Sequence, residues 1–204
     1  MTVSRKEVEN AFGTARSKPE RTLFLGALLE RATGEEAIVV GGSAVEVYTS
    51  GQTSTRDIDI VMPRARALQV VRLWGFVPSG QVWRRGDWDT DIDLLGPNFT
   101  GSRLKIQVME TPYGPVRLAG VEDLLAKRLA ELKHWPTTPT WRSELVKQVE
   151  ILVAEYGDRM DEEYLAFVTR RDDIVDILAD FRARRHPSGT DRPSREYAGA
   201  GLER

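Results

Sequence analysis

Residues 55–63, TRDIDIVMP, alternate aspartate with large aliphatic residues, and the phrase recurs at 88–95 as WDTDIDLL. In an extended chain alternate side chains share a face. Asp57 and Asp59 therefore stand together, while Ile58, Ile60 and Met62 enter a core from the opposite side. A period of two at both places predicts two strands of one sheet, each buried on its aliphatic face. Aspartate is disfavoured in strands, and solvent exposure or protection of an edge would explain either phrase alone. The two together imply more. If the strands are neighbours, Asp57, Asp59 and one of Asp91 or Asp93 converge. Three carboxylates at one point need a counter-charge, and a hard divalent cation with oxygen ligands, most often magnesium, supplies it. Asp89 shares the face, but Asp93 is preferred as the third acid because it lies deepest in the apolar run, between Ile92 and Leu94; Asp91 is second.

Magnesium held by few protein carboxylates completes its shell with water and substrate phosphates, so a phosphate-binding feature is expected nearby. VVGGSAVEVY (39–48) fits: a buried strand from residue 37, the glycines Gly41 and Gly42, then Ser43 opening a helix. Glycine lets backbone approach an anion, a helix N-terminus offers free N–H groups, and the Ser43 hydroxyl adds a donor. A second clue is Arg128. On a helix from Val121, Leu124, Leu125, Leu129 and Leu132 define the buried arc; Arg128 falls near its middle and Lys127 points elsewhere. Arg128 either pairs structurally with an acid or carries its guanidinium into a cleft to bind phosphate or carboxylate.

Elsewhere the pattern is that of an α/β (α+β) chain. Residues 1–19 are read as an N-terminal segment. Residues 20–118 are a core of four or five strands in a small mixed sheet flanked by helices. Ser17, Pro19 and Glu20 mark a helix start and Pro63 another, which Gly75 ends; 81–95 is a hairpin turning at Gly86-Asp87, and 103–110 and 115–118 are further strands. Residues 119–185 are helical, with helices expected over 121–133, 142–156, 161–169 and 172–185, and 186–204 reads as a disordered tail. The run RRDDIVDIL has the charge pattern of a solvated helix face, and Trp83, Trp88, Trp135 and Trp141 are read as core or rim packing rather than base-stacking platforms.

Composition narrows the chemistry. Without cysteine and with only His134 and His186, disulfides, thiolate catalysis and cysteine-ligated metals are excluded, and histidine-rich metal sites are disfavoured. Lys and Arg total 29 against 31 Asp and Glu, a net charge of -2 that argues for neither nucleic acid nor membrane. No signal peptide or membrane span is read, and a cytoplasmic location is the expectation.

Gly42-Ser43, Thr55, Asp57-Ile58-Asp59 and a later strand aspartate resemble the nucleotidyltransferase superfamily with the DNA polymerase β-type catalytic domain. More narrowly, GGSA, TRDIDIV, DIDLL and VEDLLAKRLAEL are similar to small bacterial members related to AbiE-type toxin nucleotidyltransferases, over about residues 37–135. The resemblance implies two magnesium ions and a nucleoside triphosphate held by Asp57 and Asp59, with Asp93 binding one ion and helping to activate the attacking hydroxyl. It places Gly42 and Ser43 on the β and γ phosphates, with Thr55 in the same pattern. Arg128 departs from the lysine common at its position in toxin-type relatives. The implied reaction moves a nucleoside monophosphate to a hydroxyl on an RNA end such as tRNA, a protein or a small molecule, with an antitoxin as partner if the chain is a toxin. Two alternatives stand beside it: a catalytically inactive nucleotide-binding or protein-interaction member of the fold, and a metal-dependent phosphodiesterase.

Overall fold

In the computed structural model, which describes residues 3–88 and 90–185, a seven-stranded mixed sheet is surrounded by helices. The strands are β1 (Ile38–Val40), β2 (Asp57–Val61), β3 (Val77–Ser79), β4 (Val82–Arg84), β5 (Asp91–Gly96), β6 (Gln107–Thr111) and β7 (Gly114–Leu118). They lie in the order β3-β4-β5-β2-β1-β7-β6. β2 runs parallel to β5, and β1 runs parallel to β7; the other neighbours are antiparallel. The expected α/β class and the adjacency of the two aspartate strands both hold.

Ile58, Ile60, Ile92 and Leu94 are at most 1% exposed. Each such side chain removed from water contributes about 1.5–3 kcal/mol, which fixes the faces of β2 and β5. They pack with helices α1 (Arg5–Thr14), α2 (Lys18–Thr33) and α4 (Arg64–Leu73). A second cluster joins Val39, Val116 and Leu118 to α3 (Gly41–Tyr48) and to α5 (Val121–His134), α6 (Pro139–Tyr156), α7 (Glu162–Arg171) and α8 (Val175–Arg185).

Several boundaries differ from the sequence reading. The segment before residue 20 contains α1, whose Val8, Ala11 and Phe12 are buried and whose Ser4 hydroxyl caps the Glu7 N–H at 3.2 Å. Phe12 stacks on Trp88, with ring centroids 4.0 Å apart. Ser17 caps α2 as expected, but Glu20 takes the N–H of Arg16 and does not close the box on Ser17. α3 starts at Gly41, two residues ahead of Ser43. The expected strand at 103–110 is a 3₁₀ turn over Arg103–Lys105 followed by β6, and β3 was not anticipated because its three residues include Pro78. The helix expected from 172 begins at Val175. Asp172 ends α7, Asp173 takes a left-handed φ of 53° and Ile174 is buried, so RRDDIVDIL is a helix break and not one solvated face. The tail from 186 and Asp89 lie outside the described residues. Among the described residues no helix is long and apolar enough to cross a membrane.

Candidate active site

The β2–β5 register sets Asp57 opposite Asp91 and Asp59 opposite Asp93. Directly paired residues of neighbouring strands share a face, about 4.8 Å apart in backbone, so all four carboxylates stand on the side opposite the isoleucines. They do not have equal standing. Asp91 is 1% exposed and held in a fork by Arg84, with Nε to Oδ1 at 2.9 Å and Nη2 to Oδ2 at 2.7 Å, and Arg56 adds a contact at 3.2 Å. The Arg84 hydrogen bonds hold the Asp91 carboxyl below the usual range. Asp91 is thus neutralised by protein, whereas Asp93 has no ion-pair partner among the described residues. Burial pushes the Asp93 carboxyl up, opposed by the charge of Arg64 and reinforced by Asp57.

Asp59 is the most perturbed. Burial pushes its carboxyl up to about 6; Arg128 and the Gly42 N–H pull it down, while Asp93 and Asp57 push it further up. The glycine turn explains the close approach. Gly41 has φ +62°, and a Cβ there would overlap the Asp59 carboxylate. Gly41→Ala therefore meets both a backbone penalty and a clash, and should cost about 2–4 kcal/mol. Urea unfolding checks the cost; a variant as stable as the parent would show that this turn does not require glycine.

Ser43 stands at the turn with its hydroxyl engaged on both sides. It is fully buried, its hydroxyl donates to the Val40 carbonyl at 3.0 Å and accepts the Asp59 N–H at 3.2 Å. The side chain ties the end of β1 to β2, and its one proton is committed within the protein. Thr55 packs against Gly42; its N–H goes to Glu46 at 3.2 Å and its carbonyl takes the Lys18 ammonium. Both residues border the turn, but as its buttress.

Asp59 and Gly41 open on a cleft of about 720 Å³ between the sheet and α5, large enough for a small organic ligand. Arg128 lines it, 5% exposed, with Nη1 bonded to Glu131 at 2.6 Å and a buried Nε that has no partner. The structural pairing expected of Arg128 is present, with an acid on its own helix, and its charge also lowers the Asp59 carboxyl from the cleft wall. Lys127 corrects the helical-wheel reading, because it also lines the cleft, its Nζ 4.6 Å from the Trp135 ring centre. A long stem overcomes the angular offset from the buried arc. Asn98, Thr100, His134 and Arg171 complete the wall. Sequence reasoning missed them because they come from a loop and two helix ends, with no shared periodicity. Trp83 and Trp88 are core-packed as expected, whereas Trp135 and Trp141 are 60% and 42% exposed.

A metal fits this site by donor type, since it offers carboxylate oxygens, and by charge, since among the described residues Asp57 and Asp93 have no cation in hydrogen-bond or salt-bridge contact. It is not a closed cage: among the described residues no three acidic or imidazole groups are grouped to hold an ion. The convergence of three acids expected from the sequence is therefore not formed as a ready-made ion site among the described residues, and one or two carboxylates are left to bind a cation that completes its shell with substrate oxygens.

No family model matches the sequence, and no curated protein matches it. The crystal structure of an antigenic nucleotidyltransferase-like protein from Paracoccidioides brasiliensis does match in three dimensions. The TM-score is 0.53 at 12% identity, over 81% of this chain and 94% of that one. At that identity the likeness concerns architecture, and it agrees with the topology described above: the chain has a nucleotidyltransferase-like fold.

Proposed function

We propose that this protein is a magnesium-dependent nucleotidyltransferase that moves a nucleoside monophosphate from a nucleoside triphosphate to a hydroxyl acceptor. The observation that carries the reading is the pairing of β2 with β5, which puts Asp59 beside Asp93 while Arg84 withdraws Asp91. Asp57, Asp59 and Asp93 are the carboxylates that would hold the metal, one or two to an ion; when bound it neutralises the triphosphate and the developing charge of the displacement. The chain's own residues do the rest. Arg128 and Lys127 supply positive charge along the larger cleft, and the tight Gly41-Gly42 turn keeps Asp59 at its edge. The acceptor oxygen forms a bond to the α-phosphorus, the bond from that phosphorus to the β-bridging oxygen breaks, and pyrophosphate leaves with the electron pair. The hydroxyl proton passes to the Asp93 carboxylate.

An acceptor that is an RNA end, tRNA included, or a protein side chain, and an antitoxin partner, follow from the resemblance to AbiE-type toxins. A second reading has a specific observation in its favour. The Ser43 hydroxyl is engaged and no ligand set is closed, as in a protein that binds nucleotide without turnover. Incubation with triphosphates labelled at the α-phosphate, with total RNA or alone, separates the two. Label should transfer with magnesium and vanish with EDTA. Nucleotide binding without transfer under any condition would establish the second reading instead, and RNA shortening without triphosphate would point to a phosphodiesterase.

A further inference from the structure

Asp93 borders a second hollow of about 480 Å³, lined also by Arg64, Leu68, Gln81, Trp83 and Leu94. Leu95, 51% exposed, borders this hollow and the larger cleft alike. Each cavity thus reaches one member of the register pair Asp59–Asp93. Bringing two reactants to one point requires a place for each. Asp59, Gly41 and the cations Lys127, Arg128 and Arg171 border the larger cleft.

The smaller hollow has a distinct chemistry. Its floor is apolar, with Trp83 6% and Leu94 1% exposed, and its single cation is Arg64. Neighbouring arginines are engaged: Arg66 donates to the Thr33 carbonyl at 3.1 Å, Arg84 grips Asp91, and Arg85 binds Glu9 and Asp87. Arg64 makes no hydrogen bond or salt bridge to any described residue, and its charge acts on Asp93. A guanidinium whose donors meet no described residue, beside the aspartate proposed to take the acceptor's proton, suits a bidentate anion.

We propose that this hollow is the acceptor subsite and that Arg64 selects acceptors whose reacting hydroxyl lies beside a phosphate group; this rests on the transferase reading. The hollow is the size of a single nucleotide or sugar phosphate, not of a folded surface. The phosphate comes either from the 3′-end of an RNA strand or from a small phosphorylated alcohol. In the transfer, the hydroxyl oxygen next to Asp93 bonds to the α-phosphorus of the nucleotide in the larger cleft, pyrophosphate departs, and the acceptor's own phosphate stays on Arg64 unchanged.

The test measures binding without turnover. A fluorescent single-stranded RNA ending in a 3′-hydroxyl is titrated by anisotropy, and ribose 5-phosphate and ribose by calorimetry, against the full chain, Arg64→Glu and Arg66→Glu. Arg64→Glu should weaken the RNA or the sugar phosphate at least about tenfold, and whichever probe responds identifies the source. Arg66→Glu makes the same charge change nearby and should stay within about twofold, and ribose should show no dependence on Arg64. Equal affinity of the parent and Arg64→Glu for both phosphorylated probes overturns the proposal, as does failure of both probes to bind the parent. The transferase reading fails separately: it falls if Arg64-dependent binding is found but no label transfer ever occurs. Label transfer with an acceptor KM indifferent to Arg64 sinks the acceptor subsite alone.

Discussion

Asp93→Asn should lower nucleotidyl transfer by about a thousandfold, within the range that a positioned proton acceptor contributes, with little change in folding stability. Asp91→Asn, two residues away on the same face, should do the reverse. Asp91 is buried and binds Arg84 in a fork, so removing its charge leaves two arginines without their partner. Those arginines are 41% and 60% exposed and regain water, so the cost should be about 2 kcal/mol rather than the larger loss of a fully buried pair. Activity per folded molecule should fall less than about tenfold. Kinetics on the two variants, each paired with a denaturant melt, read both quantities. If Asp91→Asn is the inactive variant and Asp93→Asn the active one, the assignment of the third carboxylate is reversed and the role given to Arg84 is wrong.

Asp59→Asn should inactivate the protein and stabilise it. Burial holds the Asp59 carboxyl at about 6 in the folded chain against an ordinary 3.8. Between those values the folded state binds more protons than the unfolded one, so stability falls as pH rises through the window, and above it the full cost is present. About two units correspond to about 3 kcal/mol. Asparagine removes the charge and keeps an oxygen for the Gly42 N–H. In metal-free buffer at pH 7.5 the variant should melt about 5–10 °C above the parent, and the gap should close as the pH approaches 4. Magnesium with nucleotide should raise the parent's melting temperature and not the variant's. A variant no more stable than the parent at pH 7.5 would mean that Asp59 carries no such cost.

Much of this site was legible because β periodicity is a strong local signal. DID twice over, with isoleucine or leucine between the acids, leaves few arrangements other than two strands with acids on one face. The glycines before α3 and the odd arginine among the leucines of α5 were legible for the same reason, each breaking a pattern in a way that geometry had to explain. The α1 helix is equally encoded locally, by Ser4 and the spacing of Val8, Ala11 and Phe12, in a run that is short and charged.

What the sequence by itself determined is the set of residues and their faces: which acids point together, which aliphatics oppose them, and where the backbone must turn on glycine. Only the tertiary structure decided which of those groups are free to react. The cross-strand neighbours of Asp91 and Asp93 differ: Arg84 from β4 pairs with one, and no described residue forms a salt bridge with the other. Ser43 was spent on joining β1 to β2, and Lys127 reached the cleft along its stem. The reason is physical. Alternation along a strand is local and survives any packing, whereas charge neutralisation depends on which side chains, distant in sequence, arrive within hydrogen-bond reach.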